Sequence, residues 1–275
     1  MRKFLLRVIS LAGRRLRHTP IARWKWLKRL LGKTASGLSS SANLAYREFR
    51  VSAPPGDEMI TKKLILYGDY DRAEIDLLCS LVKPGDCVLD VGANIGLYTL
   101  PLSRAVGPDG LVIAAEPDPQ NLALLQRNIE ANGCHNVRVI PAALGDKTGA
   151  VKLYQRSDNR GALSTADIFG VGEANAIAIS MRRTAEVLER MPRLVKIDVE
   201  GQEPLVIAGM GGTLPEILFF EFSPKQLSAA GHDPATFLSE LQMSGYQLEA
   251  VEPETGNRVP ISGDGLMNVI GIRPS

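Results

Sequence analysis

Val88-Leu89-Asp90-Val91-Gly92-Ala93-Asn94-Ile95-Gly96 is an apolar stretch that runs into a glycine-punctuated turn. Gly92 and Gly96 allow a backbone to turn tightly and to approach a ligand closely, and Asp90 and Asn94 supply polar groups beside it. Glu116 closes the next apolar stretch, 20 residues after Gly96. At that place a carboxylate can accept hydrogen bonds from both hydroxyls of a ribose. A second group of charges lies further on, in Lys196-Ile197-Asp198-Val199-Glu200-Gly201. On an extended strand Lys196, Asp198 and Glu200 share one face while Ile197 and Val199 share the other. Such a run on a central strand is costly unless the charges are paired or used.

These residues can act together only if a fold gathers them at one edge. Short apolar strands are expected at Cys87–Val91, Leu111–Ala115, Val137–Ile140, Leu194–Val199 and Ile217–Phe222, with helices between them. One helix spans Asp71–Val82. Another spans Asp118–Asn132, where Asp118 caps the first free N–H groups, Pro119 sits in the first turn, Leu122, Leu125 and Ile129 share a face, and Gly133 follows the end. The segment from Asp233-Pro234 to Gly245 repeats that grammar. Doubly apolar strands alternating with helices imply an α/β fold, a mostly parallel Rossmann-like sheet covered on both faces. Tyr246–Val251 and Leu266–Arg273 read as an antiparallel closing hairpin, and Val51–Tyr67 as a short β element around Pro54-Pro55-Gly56.

Glycine turns of this kind serve both dinucleotide dehydrogenases and methyltransferases, so the details decide. The loop is D-x-G-x-N-x-G and lacks the G-x-G-x-x-G spacing that a pyrophosphate requires. S-adenosylmethionine carries no pyrophosphate, only a sulfonium and an amino-acid end, and Asp90 and Asn94 suit those groups better. The plainer reading is a βα turn with no ligand, and Glu116 weighs against it.

From about Gly68 to Phe222, and more loosely to Asn268, the sequence resembles the FkbM-type methyltransferases. The resemblance is carried by DVGANIGLYTLPLSRAVGPDG (Asp90–Gly110), AAEPDPQNLALLQRNIEANG (Ala114–Gly133), PAALGD (Pro141–Asp146), KIDVEGQEPLVIAGM (Lys196–Met210) and FFEFSP (Phe219–Pro224). It implies a class I fold, S-adenosylmethionine as donor, and O-methylation in glycan or natural-product pathways. It also implies that Ala142, Ala143 and Asp146 border the adenine. Where the family usually shows a Thr-Leu-Asp-Asp-like run, this chain has Thr184-Ala185-Glu186-Val187-Leu188.

Methyl transfer from a sulfonium is an in-line displacement that benefits from alignment of the acceptor hydroxyl and from a base that takes its proton. Asp198 or Glu200 is expected in that role, with Glu203 and Glu221 behind them, against the plainer reading of a Lys–carboxylate network that only positions the cofactor or the loop. Paired acids also bind magnesium in some sites, but no spacing here is diagnostic and no metal is predicted. Tyr70, Tyr98 and the polar run Ser157–Ser164 are candidates to face the acceptor. His18, His135 and His232 read as surface residues.

Charge divides the 275 residues unevenly. Residues 1–45 contain eleven Lys or Arg and no acid, which leaves nine net negative charges on the rest of a chain whose total is +2. The expected organisation is a basic amphipathic helical segment and linker over 1–45, then a methyltransferase domain over 46–275, with a cofactor half at about 71–150 and an acceptor side at about 151–275. The favoured reading of this segment is a helical cap that packs on the core and shapes the substrate cleft; contact with an anionic membrane surface, suggested by Trp24 and Trp26 among the cations, comes next, and a nucleic-acid dock last. The acidic body repels phosphate and argues against nucleic acid. A small-molecule or glycan acceptor is therefore expected, with nucleic-acid methylation and a non-catalytic cofactor-binding or membrane-recruited module as rivals. Cys79, Cys87 and Cys134 form no C-x-x-C pair, and no apolar run reaches the roughly 20 residues of a membrane span, so a cytoplasmic protein, at most peripheral to a membrane, is expected.

Overall fold

The computed structural model describes residues 44–54, 60–155 and 163–273. The basic segment lies outside them, apart from its last two residues. The centre is an eight-stranded sheet in the order β13-β12-β14-β11-β10-β3-β4-β5. Its parallel strands are β3 (Cys87–Val91), β4 (Leu111–Ala115), β5 (Val137–Ile140), β10 (Leu194–Ile197) and β11 (Ile217–Phe222). β14 (Met267–Ile272) runs antiparallel between β11 and β12 (Gln247–Val251), and β13 (Arg258–Val259) closes the edge. The expected hairpin is present, with its second strand inserted against β11.

Alternation along the strands feeds two cores. Val88, Leu194, Phe219 and Ile270 point to one face, covered by α2 (Arg72–Leu81), α3 (Thr99–Val106), α1 (Ile60–Tyr67) and the hairpin of β1 (Leu44–Tyr46) and β2 (Phe49–Val51). Leu89, Val195, Leu218 and Val269 point to the other, covered by α5 (Glu203–Ala208), α6 (Pro224–Ala229) and α7 (Pro234–Met243). α4 (Pro119–Ala131) begins as its sequence predicts, the Asp118 carboxylate accepting from the N–H groups of Gln120 and Asn121. The chain builds β3, β4 and β5 outward in one direction, then returns to lay β10 on the free side of β3. Where two neighbouring strands send their connections opposite ways, a crevice opens at their carboxyl ends.

Three expectations need correction. Ile60–Tyr67 is helical rather than extended, because Ile60 and Leu64, one helical turn apart, bury together in the core. The extended pair there lies earlier, over residues 44–51. The strand expected to run to Val199 ends at Ile197. The third concerns β6 (Ala143–Gly145), β7 (Gly149–Gln155), β8 (Leu163–Ser164) and β9 (Ile177–Arg183), which form a separate four-stranded sheet in the order β6-β9-β7-β8 that the sequence reading did not separate.

Candidate active site

Glu116 ends β4 with 2% of its surface exposed. One carboxylate oxygen accepts the N–H of Asn94 at 2.8 Å and the other that of Asp118 at 2.9 Å. Burial pushes its pKa up to about 7, although the two backbone donors pull it down. Each oxygen keeps a second lone pair, so the group can still receive hydroxyl donors. Asn94 holds a positive φ of 51°, and its side-chain oxygen caps the N–H of Ile95 at 2.8 Å. Its amide thus shapes the turn.

The two loop glycines serve close packing within the protein. A Cβ on Gly92 (φ +73°) would lie 2.0 Å from the carbonyl oxygen of Asp198, and one on Gly96 (φ +94°) would lie 2.9 Å from Leu125 Cδ1. Both positions therefore exclude a side chain for reasons of packing: Gly92 lets the β3 turn touch the end of β10 while it also lines the crevice described below, and Gly96 lets α4 pack on the turn.

Asp90 is fully buried. Thr99 donates to one of its oxygens at 2.6 Å, and the other makes no hydrogen bond and faces the Lys196 ammonium at 3.2 Å. Its carboxylate is thereby committed to the protein interior, an anchor for Lys196 more than a group offered to a ligand. Burial opposes the Lys196 charge, but Asp90 and Asp198 outweigh it and hold the ammonium above the ordinary lysine range.

Asp198 follows β10 with its side chain 45% exposed and one oxygen 3.7 Å from Lys196 Nζ. Glu200 does not share that face. The strand has ended, Glu200 adopts a positive φ of 54°, and its carboxylate turns to the Gln226 side-chain amide on α6. The expected Lys196–Asp198–Glu200 row is thus corrected: period-two alternation stops with the strand. Glu203 is 1% exposed, and one of its oxygens accepts the N–H groups of Gly201 at 3.1 Å and Val199 at 3.4 Å. It braces the loop, and burial holds it up to about 8. Glu221 stands opposite Asn268 in the β11–β14 register with one buried oxygen that no group hydrogen-bonds. Burial first, then the charges of Asp198, Glu200 and Glu203, push it up to about 9.

Val91, Gly92, Ala115, Ala142, Ala143 and Val199 line a narrow crevice at this edge, and Leu163 and Thr165 of the small sheet close it. Its lining is mostly apolar, as the face of a nucleobase requires, with Glu116 next in sequence to Ala115. A donor with a ribose and an adenine fits these residues. Ala143 lines the crevice, whereas Asp146 is exposed beyond β6 and lies outside the crevice lining. A wider groove of about 630 Å³ between α2 and the β12–β13 turn, lined by Arg72, Asp76, Ser80 and Thr255, contains none of these groups.

Several contributors escaped the sequence reading. Thr99 fixes Asp90. Glu74, 2% exposed, accepts from Tyr98 Oη at 2.9 Å and from the Asn268 amide at 2.9 Å, tying α2 to β14. Tyr98 is thereby a core residue, its ring against Phe219 and under Lys196. Ser164 Oγ donates to the Glu200 carbonyl at 3.0 Å and pins the small sheet to the β10 loop. Only the alternating sequence of 149–155 and 177–183 could have signalled that sheet. Ser157–Asn159 and the rest of 156–162, with His18, lie outside the described residues. His135 is exposed. Among the described residues no group of three or more His, Cys, Asp or Glu is arranged to hold a metal ion.

The strand order, the switch between β3 and β10, and the acidic residue ending β4 define a class I methyltransferase fold. The family model "Methyltransferase FkbM domain" matches residues 90–248, more than half of the chain, and the chain belongs to the FkbM methyltransferase family. It is similar over 73 residues, at 33% identity, to an arsenite methyltransferase of Halobacterium salinarum, covering 24% of this chain and 19% of that protein. Over 68 residues it is 32% identical to protein-L-isoaspartate O-methyltransferase 1 of Archaeoglobus fulgidus, covering 24% of this chain and 32% of that one. The chain thus spans a third or less of these two relatives' length. A solved precorrin-6y C5,15-methyltransferase of Geobacter metallireducens aligns with a TM-score of 0.43 at 14% identity, over 73% of this chain and 86% of that one.

Proposed function

We propose that this chain is an S-adenosylmethionine-dependent methyltransferase that methylates a hydroxyl of a sugar, glycan or polyketide-like metabolite. The observation that carries the reading is the Glu116 carboxylate, fixed by two backbone N–H groups beside an apolar crevice, with β3 between its strand and that of the outward-facing Asp198. Glu116 receives the ribose hydroxyls, and Ala142 and Ala143 flank the adenine. The donor supplies a methyl group on a sulfonium, an electrophile that needs no further activation. Asp198, partly exposed and held beside a permanent cation, orients the acceptor hydroxyl and takes its proton as the oxygen gains the methyl. Glu200, turned away, is set aside as base.

Titration calorimetry with S-adenosylhomocysteine, with NAD as control, tests the donor. Binding to the wild type, at least tenfold weaker in Glu116→Ala (about 1.4 kcal/mol), without NAD binding, supports it; NAD binding alone returns the fold to the dehydrogenases. Asp198→Asn should keep that affinity and lose turnover, and an unchanged rate would remove Asp198 from the chemistry.

For partners, the eleven cations of residues 1–45 with Trp24 and Trp26 support peripheral contact with anionic membrane, where lipid-linked acceptors lie. Among the described residues no helix is long and apolar enough to cross a membrane. Three free cysteines accord with a cytoplasmic setting.

A further inference from the structure

Lys196 sits in the sheet directly beside Asp90 of β3 and Phe219 of β11, 3% exposed. Its ammonium donates to the carbonyl oxygen of Gly92 at 2.9 Å and approaches that of Val91 at 3.4 Å. The same nitrogen lies 3.2 Å from Asp90, 3.7 Å from Asp198 and 5.2 Å from the centre of the Tyr98 ring. A buried ammonium is tolerated only when its donors and its charge are both answered, and here two backbone carbonyls accept its hydrogen bonds while two carboxylates balance its charge. The carbonyls belong to the turn that precedes Asn94, and Asp198 is the acceptor-side acid. The charged groups that act on Asp198 come from several elements: Lys196 on β10, Asp90 on β3, Asp71 before α2, Glu203 on α5 and Glu221 on β11. Lys196 is the cation among them. One nitrogen therefore joins the donor loop to the acceptor acid.

We propose that Lys196 is a positioning residue that ties the β3 turn to Asp198 and sets the charge balance of the donor site, touching neither donor nor acceptor itself. This rests on the methyl-donor reading above. Two ligands of nearly equal shape report the charge balance: S-adenosylmethionine carries the sulfonium cation and S-adenosylhomocysteine lacks it. A substitution that merely loosens packing weakens both alike, whereas loss of a nearby cation favours the charged ligand.

The experiment is calorimetric titration of the full chain with each ligand, for wild type, Lys196→Gln and Lys196→Arg, with thermal unfolding of each protein. Lys196→Gln should weaken S-adenosylhomocysteine and move the affinity ratio toward S-adenosylmethionine by about threefold or more. Lys196→Arg should keep the wild-type ratio, since the charge remains, while weakening both ligands because a broad guanidinium does not fit between two carbonyls. An unchanged ratio in folded Lys196→Gln, or an equal shift in Lys196→Arg, overturns the proposal. Should Lys196→Gln not fold, Asp198→Asn reads the same field from the other end: removing an anion must shift the ratio toward S-adenosylhomocysteine, and no shift overturns the proposal. A wild type that binds neither ligand refutes the donor reading and the proposal with it, and that failure appears before any variant is made.

Discussion

On the proposed donor reading, the ionisation of Glu116 is coupled to donor binding. Its carboxyl is held up to about 7, and the ionised form is the better acceptor for ribose hydroxyls. Affinity for S-adenosylhomocysteine should therefore rise between pH 6 and pH 8, as the titration passes about 7, and Glu116→Gln should flatten that rise; calorimetry across the range reads both. Glu203 and Glu221, like Glu116, act on stability. Their values of about 8 and about 9 exceed the ordinary 4.5, so over that interval the folded chain binds more protons than the unfolded one. Their contribution is complete below about pH 4.5 and is lost as pH rises through about 8 and then about 9. Urea unfolding at steps from pH 5 to pH 9 should show that loss, and Glu203→Gln and Glu221→Gln should each make the fall shallower. Asp90, by contrast, is legible as a motif residue but not in its role, since nothing local to it says that Thr99 and Lys196 will occupy both oxygens.

At the level of elements, the β3 turn and the end of β10 are one unit. Gly92→Ala would place a methyl carbon 2.0 Å from a backbone oxygen that cannot step aside, at a φ of +73°. A loss of about 2–4 kcal/mol in thermal or urea unfolding is expected, near the upper end for single substitutions. Gly96→Ala meets the flexible tip of Leu125 and should cost less, roughly 1–2 kcal/mol by the same measurement. Thr99→Val leaves a buried carboxylate oxygen without its donor and should cost about 1–3 kcal/mol. The β-strands, α4 and α7 were readable because doubly buried apolar runs and Asp-Pro starts are local signals. The small sheet was not, because its two long strands are largely exposed, so they carry no continuous apolar run, and they pair across the gap between β7 and β9. Helix α1 was misread because its period is visible only once Ile60 and Leu64 are known to be buried.

For the whole molecule, a basic first segment joined to an acidic body makes charge the driving force of the proposed surface attachment. Removing residues 1–43 should abolish co-sedimentation with vesicles containing anionic lipid, and raising the salt concentration should weaken it in the intact chain, because screening shortens the reach of the cations. By itself the sequence determined the class of fold, the glycine turn after β3, the carboxylate Glu116 after β4 and the acidic stretch after Lys196. These are set by period, spacing and turn chemistry over a few residues. Tertiary structure alone decided which acid faces outward. Asp198 and Glu200 are two residues apart and alike in chemistry, yet the strand stops at Ile197, Glu200 turns left-handed toward Gln226, and Asp198 stays beside Lys196. The physical reason is that a side chain's direction depends on where its strand loses its hydrogen-bonding neighbours. Here those neighbours, β3 and β11, begin over a hundred residues before β10 and about twenty after it.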